Sequence, residues 1–593
     1  MIRVIGRLFR FLAEMAAMAI AMPWLLFQLA VLLLLASGAG IVTFMLIRGL
    51  ILGEVVVTDP TSVAGRLGFL IVQLAFWALA VRFWTYLHGF DHLFARRSNS
   101  HGSARFSSKA ERAAFEQGDG LLIGRDPDTG QLLRYDGPAH LLTLAPTRAG
   151  KGVGTIIPNL LTANRPVLVI DPKGENARIA AKARERFGPV HVLDPFGVTG
   201  LPSAACNPMA GLDPGDPDLG DDAATLSEAL VMDPPGQVHD AHWNEEAKSL
   251  LAGLILFCAC HEPPERRTLA SVRDYLSLPP ARWAALLELM QESDAAGGLI
   301  ARAANRFAGK AEREAASVMS NAQRHTRFLD SPRIVAAMAR SDVDFADLRR
   351  GVTSIFLVLP PNRLDAYSRW LRLMVAQALQ DIARAAERPA ETHSAADAPA
   401  GALNGSGSAT EGLEAPEAAQ EAAEPPERRR DAARPAPAPA PALFLLDEFA
   451  ALGRLEAVER GMGLMAGYGI QLWPILQDLS QLRDLYGARA GTFLANAAVQ
   501  QVFGVNDLDT AKWLSESIGK ETAYGHSESH QPGEPASLTT APLARDLLTP
   551  DEIMQMPAHL QLLRVQGQPV MLGEKLRYYA DPEFENLFTP QPA

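Results

Sequence analysis

Two short segments carry residues whose types and spacing could do chemistry. The first is Thr147-Arg148-Ala149-Gly150-Lys151-Gly152-Val153-Gly154, which follows the apolar run His140-Leu141-Leu142-Thr143-Leu144-Ala145-Pro146 and precedes a helix-like run from Thr155. A strand, a Gly/Lys turn and a helix make a phosphate-binding loop. The glycines let backbone N–H groups approach phosphate, the helix N-terminus favours negative charge, and the lysine adds a point charge. Two positions depart from the usual pattern: Ala145 stands where a first glycine belongs, and Gly152 where a Ser or Thr hydroxyl would hold magnesium. The second segment is Leu443-Phe444-Leu445-Leu446-Asp447-Glu448-Phe449. Apolar runs of this kind form buried parallel strands, and carboxylates at their C-terminal ends lie where open α/β sheets bind ligands. Asp447 there would hold Mg²⁺, and Glu448 would act as general base toward a water. Either segment alone is a common pattern; together they predict a nucleotide site. A third run, Ile470 to Leu476, ends at Gln477-Asp478. Gln477 would be either a γ-phosphate sensor or a hydrogen-bonded turn residue.

These groups need a scaffold, and the chain supplies strand-like runs at 166–171, 190–197 and 353–361 that alternate with helical segments. Such alternation implies a parallel sheet with helices on both faces. From about Gly211 to Val343 the pattern is helix only, with helical apolar spacing in Asn244–Cys260, Pro280–Gln291, Ala301–Gln323 and Ser331–Arg340. We read an all-α domain inserted between two strands. Residues 391–441 are rich in Ala, Pro, Glu and Gly and carry nine Asp/Glu against four Arg, a net of −5 within the chain's −12. Few large apolar residues are present to offset the entropy of folding, so this reads as a disordered insertion.

Net charge −12 over 593 residues excludes a uniformly basic nucleic-acid binder. Three cysteines (Cys206, Cys258 and Cys260) suit a reducing compartment, and the one-residue spacing of the last two is wrong for a zinc pair. Buried thiols are the reading. Met15 to Ile47 is 33 residues without a charge, where a spanning helix needs about 20. Spans are expected at about 23–47 and 67–88, with a short periplasmic loop at 49–66. The pattern Arg3, Arg7, Arg10 and Glu14 suits a helix lying at the interface. Arg82 near the end of the second span would snorkel. Basic residues flank the outer ends, including Arg96 and Arg97, which places both termini in the cytoplasm. The run is too long for a cleaved leader. The expected organisation is an anchor at 1–100, nucleotide-binding parts at 101–210, 344–390 and 442–593, the all-α domain at 211–343 and the insertion at 391–441.

The assembled pieces resemble the type IV secretion coupling proteins of the conjugal-transfer TraG-like kind. The resemblance rests on Ala145 to Gly154 with Ile157-Pro158-Asn159-Leu160-Leu161, on Asp171-Pro172-Lys173-Gly174-Glu175, on Trp243-Asn244-Glu245-Glu246-Ala247 and on Leu446 to Gly453. Gln477 to Leu482, Asn506 to Ala511 and Leu548 to Ile553 extend it. It implies a RecA-like P-loop ATPase in the bacterial inner membrane, using ATP and Mg²⁺. It further implies a homo-hexameric ring, with the all-α domain facing the cytoplasm. A relaxase–DNA complex, single-stranded DNA or effector proteins would be delivered to a type IV secretion channel. Under it Lys151 holds the β/γ-phosphates, Thr147 to Val153 cradle the nucleotide, Asp447 holds Mg²⁺, Glu448 activates water and Gln477 is the sensor. Arg148 would reach phosphate or a neighbouring subunit, Thr155 is a substitute Mg²⁺ ligand, and Arg460 is the nearest candidate for a trans arginine. Two alternatives stand beside this reading: a membrane adaptor with little ATPase activity, and a DNA translocase of FtsK type.

Overall fold

Short runs of four to seven residues, the central ones apolar and buried along their length, line up as neighbours in one sheet. The computed structural model describes residues 28–45, 63–87, 99–231, 241–387, 440–529 and 537–590. The strands are β1 (Leu121–Arg125), β2 (Leu132–Tyr135), β3 (His140–Leu144), β4 (Val167–Asp171), β5 (Val190–Leu193), β6 (Ser354–Val358), β7 (Ala442–Leu446), β8 (Ile470–Leu476), β9 (Ala497–Val502), β10 (Lys520–Ser529), β11 (Ser537–Asp546), β12 (Leu560–Val565) and β13 (Met571–Glu574). Eleven of them form one sheet in the order β2-β1-β13-β12-β9-β3-β8-β7-β4-β6-β5, and β10 pairs with β11. The block from β9 to β5 is parallel. The block from β2 to β9 is antiparallel. The sheet is therefore mostly parallel, with an antiparallel extension.

Side chains alternate across this sheet and both faces are buried, as a central parallel sheet requires. Leu142, Leu144, Leu168, Ile170, Phe444 and Leu446 belong to one core, which continues into the helices Leu219–Leu230, Ala241–His261 and Pro361–Glu387. Leu141, Val167, Val169, Leu443, Leu445 and Trp473 belong to a second core, beneath the helices Ile157–Thr162 and Glu175–Arg184. Arg184 ties that second layer together. It is fully buried and donates to Ser354 Oγ (2.7 Å), to the carbonyls of Leu160 (3.1 Å) and Ala163 (2.7 Å), and to the carbonyl of Arg165 (2.6 Å). A planar guanidinium with five donors can satisfy such a fan; an ammonium cannot.

Among the described residues between β5 and β6 there are helices and no strand. The run expected at Ala301–Gln323 is two helices, Leu299–Ala308 and Glu312–Thr326. The break at Gly309-Lys310 lets Lys310 reach Glu246 at 2.9 Å beside Arg306, which holds the same carboxylate at 2.5 Å. The run expected at Ser331–Arg340 is shorter, Pro332–Ala337. Cys206 and Cys258 are buried, as expected, while Cys260 is half-buried.

Contacts divide the chain into two units. One holds Ala104–Glu521 with Asp546–Ala593, and contains the sheet; the other holds residues up to Ser103 with Thr522–Arg545. In the latter, Gln28–Met45 is long and apolar enough to cross a membrane, while the apolar part of the helix Val63–Leu87, Phe69–Phe83, is shorter. The two helices meet in antiparallel register. Trp77 Nε1 donates to Ser37 Oγ at 2.9 Å, Gly40 leaves room for the buried Gln73, and the Phe44 and Phe69 rings meet edge-on at 5.3 Å. The expected interfacial segment at 3–14, most of the 49–66 loop and nearly all of the 391–441 insertion lie outside the described residues.

Candidate active site

β8 lies between β3 and β7, and β4 lies beyond β7. Strands are about 4.8 Å apart, so four consecutive C-terminal ends present the Lys151 loop, Gln477, Asp447 with Glu448, and Asp171 in one row. Lys151 Nζ lies 2.7 Å from Glu448 Oε1 and 3.3 Å from Asp447 Oδ1. Gln477 Nε2 donates to Glu448 Oε2 at 3.1 Å, and its own N–H donates to Gln481 Oε1 at 3.0 Å. The two halves read from sequence are thus one site, and the amide of Gln477 faces it.

The 147–153 loop has a backbone suited to anion binding. Arg148 and Gly150 take left-handed conformations (φ 65° and 98°), and Lys151 leads into a wide helical turn, Gly152–Ile156. Alternating backbone of this kind turns successive N–H groups toward one concavity, and under-wound turns cluster at functional sites. Thr147 and Arg148 are exposed; Ala149, Gly150, Lys151, Gly152 and Val153 are half-buried. A side chain at 152 would meet nothing within 4 Å, whereas one at 154 would come within 2.9 Å of the Leu576 carbonyl oxygen. Glu448 also has a positive φ, 49°. Non-glycine residues held there cost about 1 kcal/mol or more each and mark sites that the surroundings over-determine.

Electrostatics separate the two carboxylates. Burial raises the Asp447 carboxyl above its ordinary value, although Lys151 opposes it. Burial would raise Glu448 too, but the Lys151 ion pair and the Gln477 amide outweigh it and hold that carboxyl below its ordinary value. Asp171 is pushed up to about 6 by burial, against the N–H donors of Ala177 and Asn176, with the Asp447 charge adding to the rise. A half-buried carboxylate at Asp447, a lysine 3.3 Å from it and a glycine-rich loop at a helix start fit a nucleotide with Mg²⁺.

Thr155 does not fit the part of a substitute metal ligand. It is fully buried, and its Oγ1 donates to Gln501 Oε1 at 3.0 Å. That oxygen also accepts from Thr143 Oγ1 (2.9 Å), and Gln501 Nε2 donates to Gln561 Oε1 (2.7 Å). The threonine therefore ties the loop helix to the sheet. Arg460 faces Glu228, with Nη2 3.9 Å from Oε2, and lies 59% exposed. Lys173, at the end of β4, is exposed and its charge reaches Glu448. Sequence reasoning missed Lys575, whose Nζ donates to the Ala149 carbonyl at 2.7 Å. The Lys–Leu–Arg run after β13 carries no pattern that could have flagged it. The later signatures are helix starts. Asp478 caps Leu479–Tyr486, Asp507 caps Leu508–Ile518, and Thr549 with Glu552 forms a capping box on Pro550–Met554.

With the geometry in hand, comparison with known proteins is specific. The family model for type IV secretory system conjugative DNA transfer matches residues 103–397 and 424–591. A conjugal transfer protein TraG of Escherichia coli is 28% identical over 82% of this chain and 77% of its own length. Protein VirD4 of Agrobacterium fabrum is 26% identical over 84% of this chain and 70% of its own length. Among solved structures, the conjugative coupling protein TrwBdeltaN70 with sulphate superposes with a TM-score of 0.55 at 16% identity, covering 81% of this chain and 95% of that one. Plasmid coupling protein TrwB in complex with ADP and Mg²⁺ gives 0.53 at 16% identity, over 81% and 96%.

Proposed function

The chain belongs to the type IV secretory system conjugative DNA transfer family, and from that premise we propose that it is an inner-membrane coupling ATPase. It would recruit a relaxase–DNA complex or effector proteins and use ATP to deliver them to the secretion channel. The observation that carries this reading is the convergence of Lys151 on Asp447 and Glu448, at 3.3 and 2.7 Å, at the ends of adjacent sheet strands.

Lys151 and the N–H groups of the 147–153 loop would hold the β- and γ-phosphates, and Asp447 would hold the magnesium. When bound, that ion supplies charge neutralisation between the phosphate oxygens. Glu448, kept ionised by Lys151 and Gln477, accepts the proton of the attacking water once phosphate draws Lys151 away. Gln477, bonded to Glu448, would then report whether the γ-phosphate is present. TrwB structures with ATP and GTP analogues and with ADP and Mg²⁺ support the nucleotide assignment.

The helices between β5 and β6 would recognise cargo, and the ring would be a homo-hexamer. The antiparallel contacts 37–77, 40–73 and 44–69 support a two-helix hairpin anchor with its ends on one side, and the flanking Arg3, Arg7, Arg10, Arg96 and Arg97 favour the cytoplasm as that side. The family assignment favours coupling over a chromosome-segregation translocase. Gly152 and the sequestered Thr155 favour one second reading, an adaptor that binds nucleotide and hydrolyses little. ATP turnover by the full-length protein in nanodiscs, beside Lys151→Ala, decides between them. Turnover lost in the variant supports the motor, and binding without turnover supports the adaptor.

A further inference from the structure

Lys575 lies 426 residues beyond the loop it touches. Its position is built. The Lys575 N–H donates to the His559 carbonyl at 2.8 Å, and the ammonium stands 5.0 Å from the centre of the Phe503 ring. The next residue, Leu576, is buried, with its carbonyl packed against Gly154 so closely that any Cβ there would be 2.9 Å away. From this base Nζ reaches the Ala149 carbonyl oxygen at 2.7 Å and stands 4.0 Å from where a Cβ on Gly150 would be.

A trans peptide is planar, so its C=O and N–H point in opposite directions. Ala149 C=O and Gly150 N–H belong to one peptide. Gly150, at φ 98°, can rotate that peptide at little steric cost, so something outside the loop must fix it. We infer that Lys575 is a positioning residue of the phosphate loop: its ammonium holds the Ala149 carbonyl and thereby aims the Gly150 N–H into the concavity that receives phosphate. Lys575 acts through the loop backbone. An ammonium serves better than an amide here because a charge-assisted bond to a carbonyl is shorter and stronger.

This inference rests on the nucleotide reading of the Lys151 site. A misaimed N–H weakens phosphate binding in ground and transition states alike, so KM is affected more than kcat. The test is full-length protein in nanodiscs, with steady-state ATP hydrolysis and titration of fluorescent ADP. Lys575→Met keeps the stem and removes the charge. It is expected to raise KM and the ADP Kd about tenfold, the equivalent of one hydrogen bond, with a smaller change in kcat. Lys575→Arg, which restores a cationic donor, is expected to recover most of the affinity. Should Lys575→Met not fold, Phe503→Leu, which removes the ring beside the ammonium, is expected to raise KM two- to threefold. Normal affinity in the Met variant, or an Arg variant as weak as Met with a lowered melting temperature, overturns the role. Lys151→Ala separates the two levels. If the unmodified protein binds nucleotide, Lys151→Ala does not, and Lys575→Met is normal, only the Lys575 inference falls. Absence of nucleotide binding by the unmodified protein overturns both.

Discussion

Glu448→Gln should tighten ATP binding while abolishing turnover. In the structure Lys151 is engaged by Glu448 at 2.7 Å and Asp447 at 3.3 Å, so phosphate must displace a carboxylate to gain the ammonium. The Lys151 and Glu448 side chains are 12% and 28% exposed, between a surface pair, worth about 0–1 kcal/mol, and a buried charged hydrogen bond, worth about 1.5–3 kcal/mol. After solvent screening, about 1 kcal/mol is a fair value for the competition that the amide removes, which is about fivefold in Kd. The same substitution deletes the general base, a loss of about 10²- to 10⁴-fold in turnover. A fluorescent ATP analogue titrated with Mg²⁺ gives the affinity, and phosphate release gives the rate. The affinity gain should shrink as salt rises, because the lost pair is partly exposed. Weaker binding in the variant, or turnover within tenfold of the parent, would refute this account of the Lys151–Glu448 pair.

Two glycines two residues apart should behave oppositely. Gly152→Ser enters open space and is expected to be neutral or stabilising by about 0.5 kcal/mol, with tighter Mg²⁺-dependent binding; Gly154→Ser meets the Leu576 carbonyl and should cost about 1–3 kcal/mol, both read as melting temperature and Kd. Arg184→Leu strands one hydroxyl and three carbonyl acceptors and should cost about 3 kcal/mol or more; a melting temperature within a degree of the parent would contradict the packing described. Asp171, at about 6 in the folded protein and about 3.9 unfolded, takes up its proton first in the native state. Its ionised form therefore costs stability above pH 6, and that cost is relieved as pH falls toward 4. Asp171→Asn should be more stable than the parent at pH 8, by up to about 3 kcal/mol, with the gap closing near pH 4; thermal melts across that range that keep a constant gap would sink the assignment.

The part of the sheet around the candidate site was legible because its strands are short apolar runs, most of them running into Asp, Gln or a glycine loop. β3, β4, β5, β6, β7 and β8 all appear where those runs stand. The order β3-β8-β7, which aims Gln477 at Glu448, was not legible. Strand adjacency is a property of the packed sheet, which local patterning does not encode. The antiparallel extension was missed for a physical reason. β9 and β12 carry Gln500, Gln501 and Gln561, which look like surface residues in sequence. In the structure they are buried, and Gln501 and Gln561 bond to each other and to the Ile123 carbonyl. Polar strands of this kind lack the alternation that marks a half-buried strand. Thr155 and Lys575 illustrate the same limit from the site's side: each is assigned by a partner hundreds of residues away, Gln501 for one and Ala149 for the other.

The most direct test of the central claim is ATP hydrolysis by the full-length protein in nanodiscs, with and without single-stranded DNA, beside Lys151→Ala. The account predicts magnesium-dependent turnover that DNA stimulates and that the variant loses. ATP bound without turnover under every condition, or turnover that Lys151→Ala leaves intact, would contradict it.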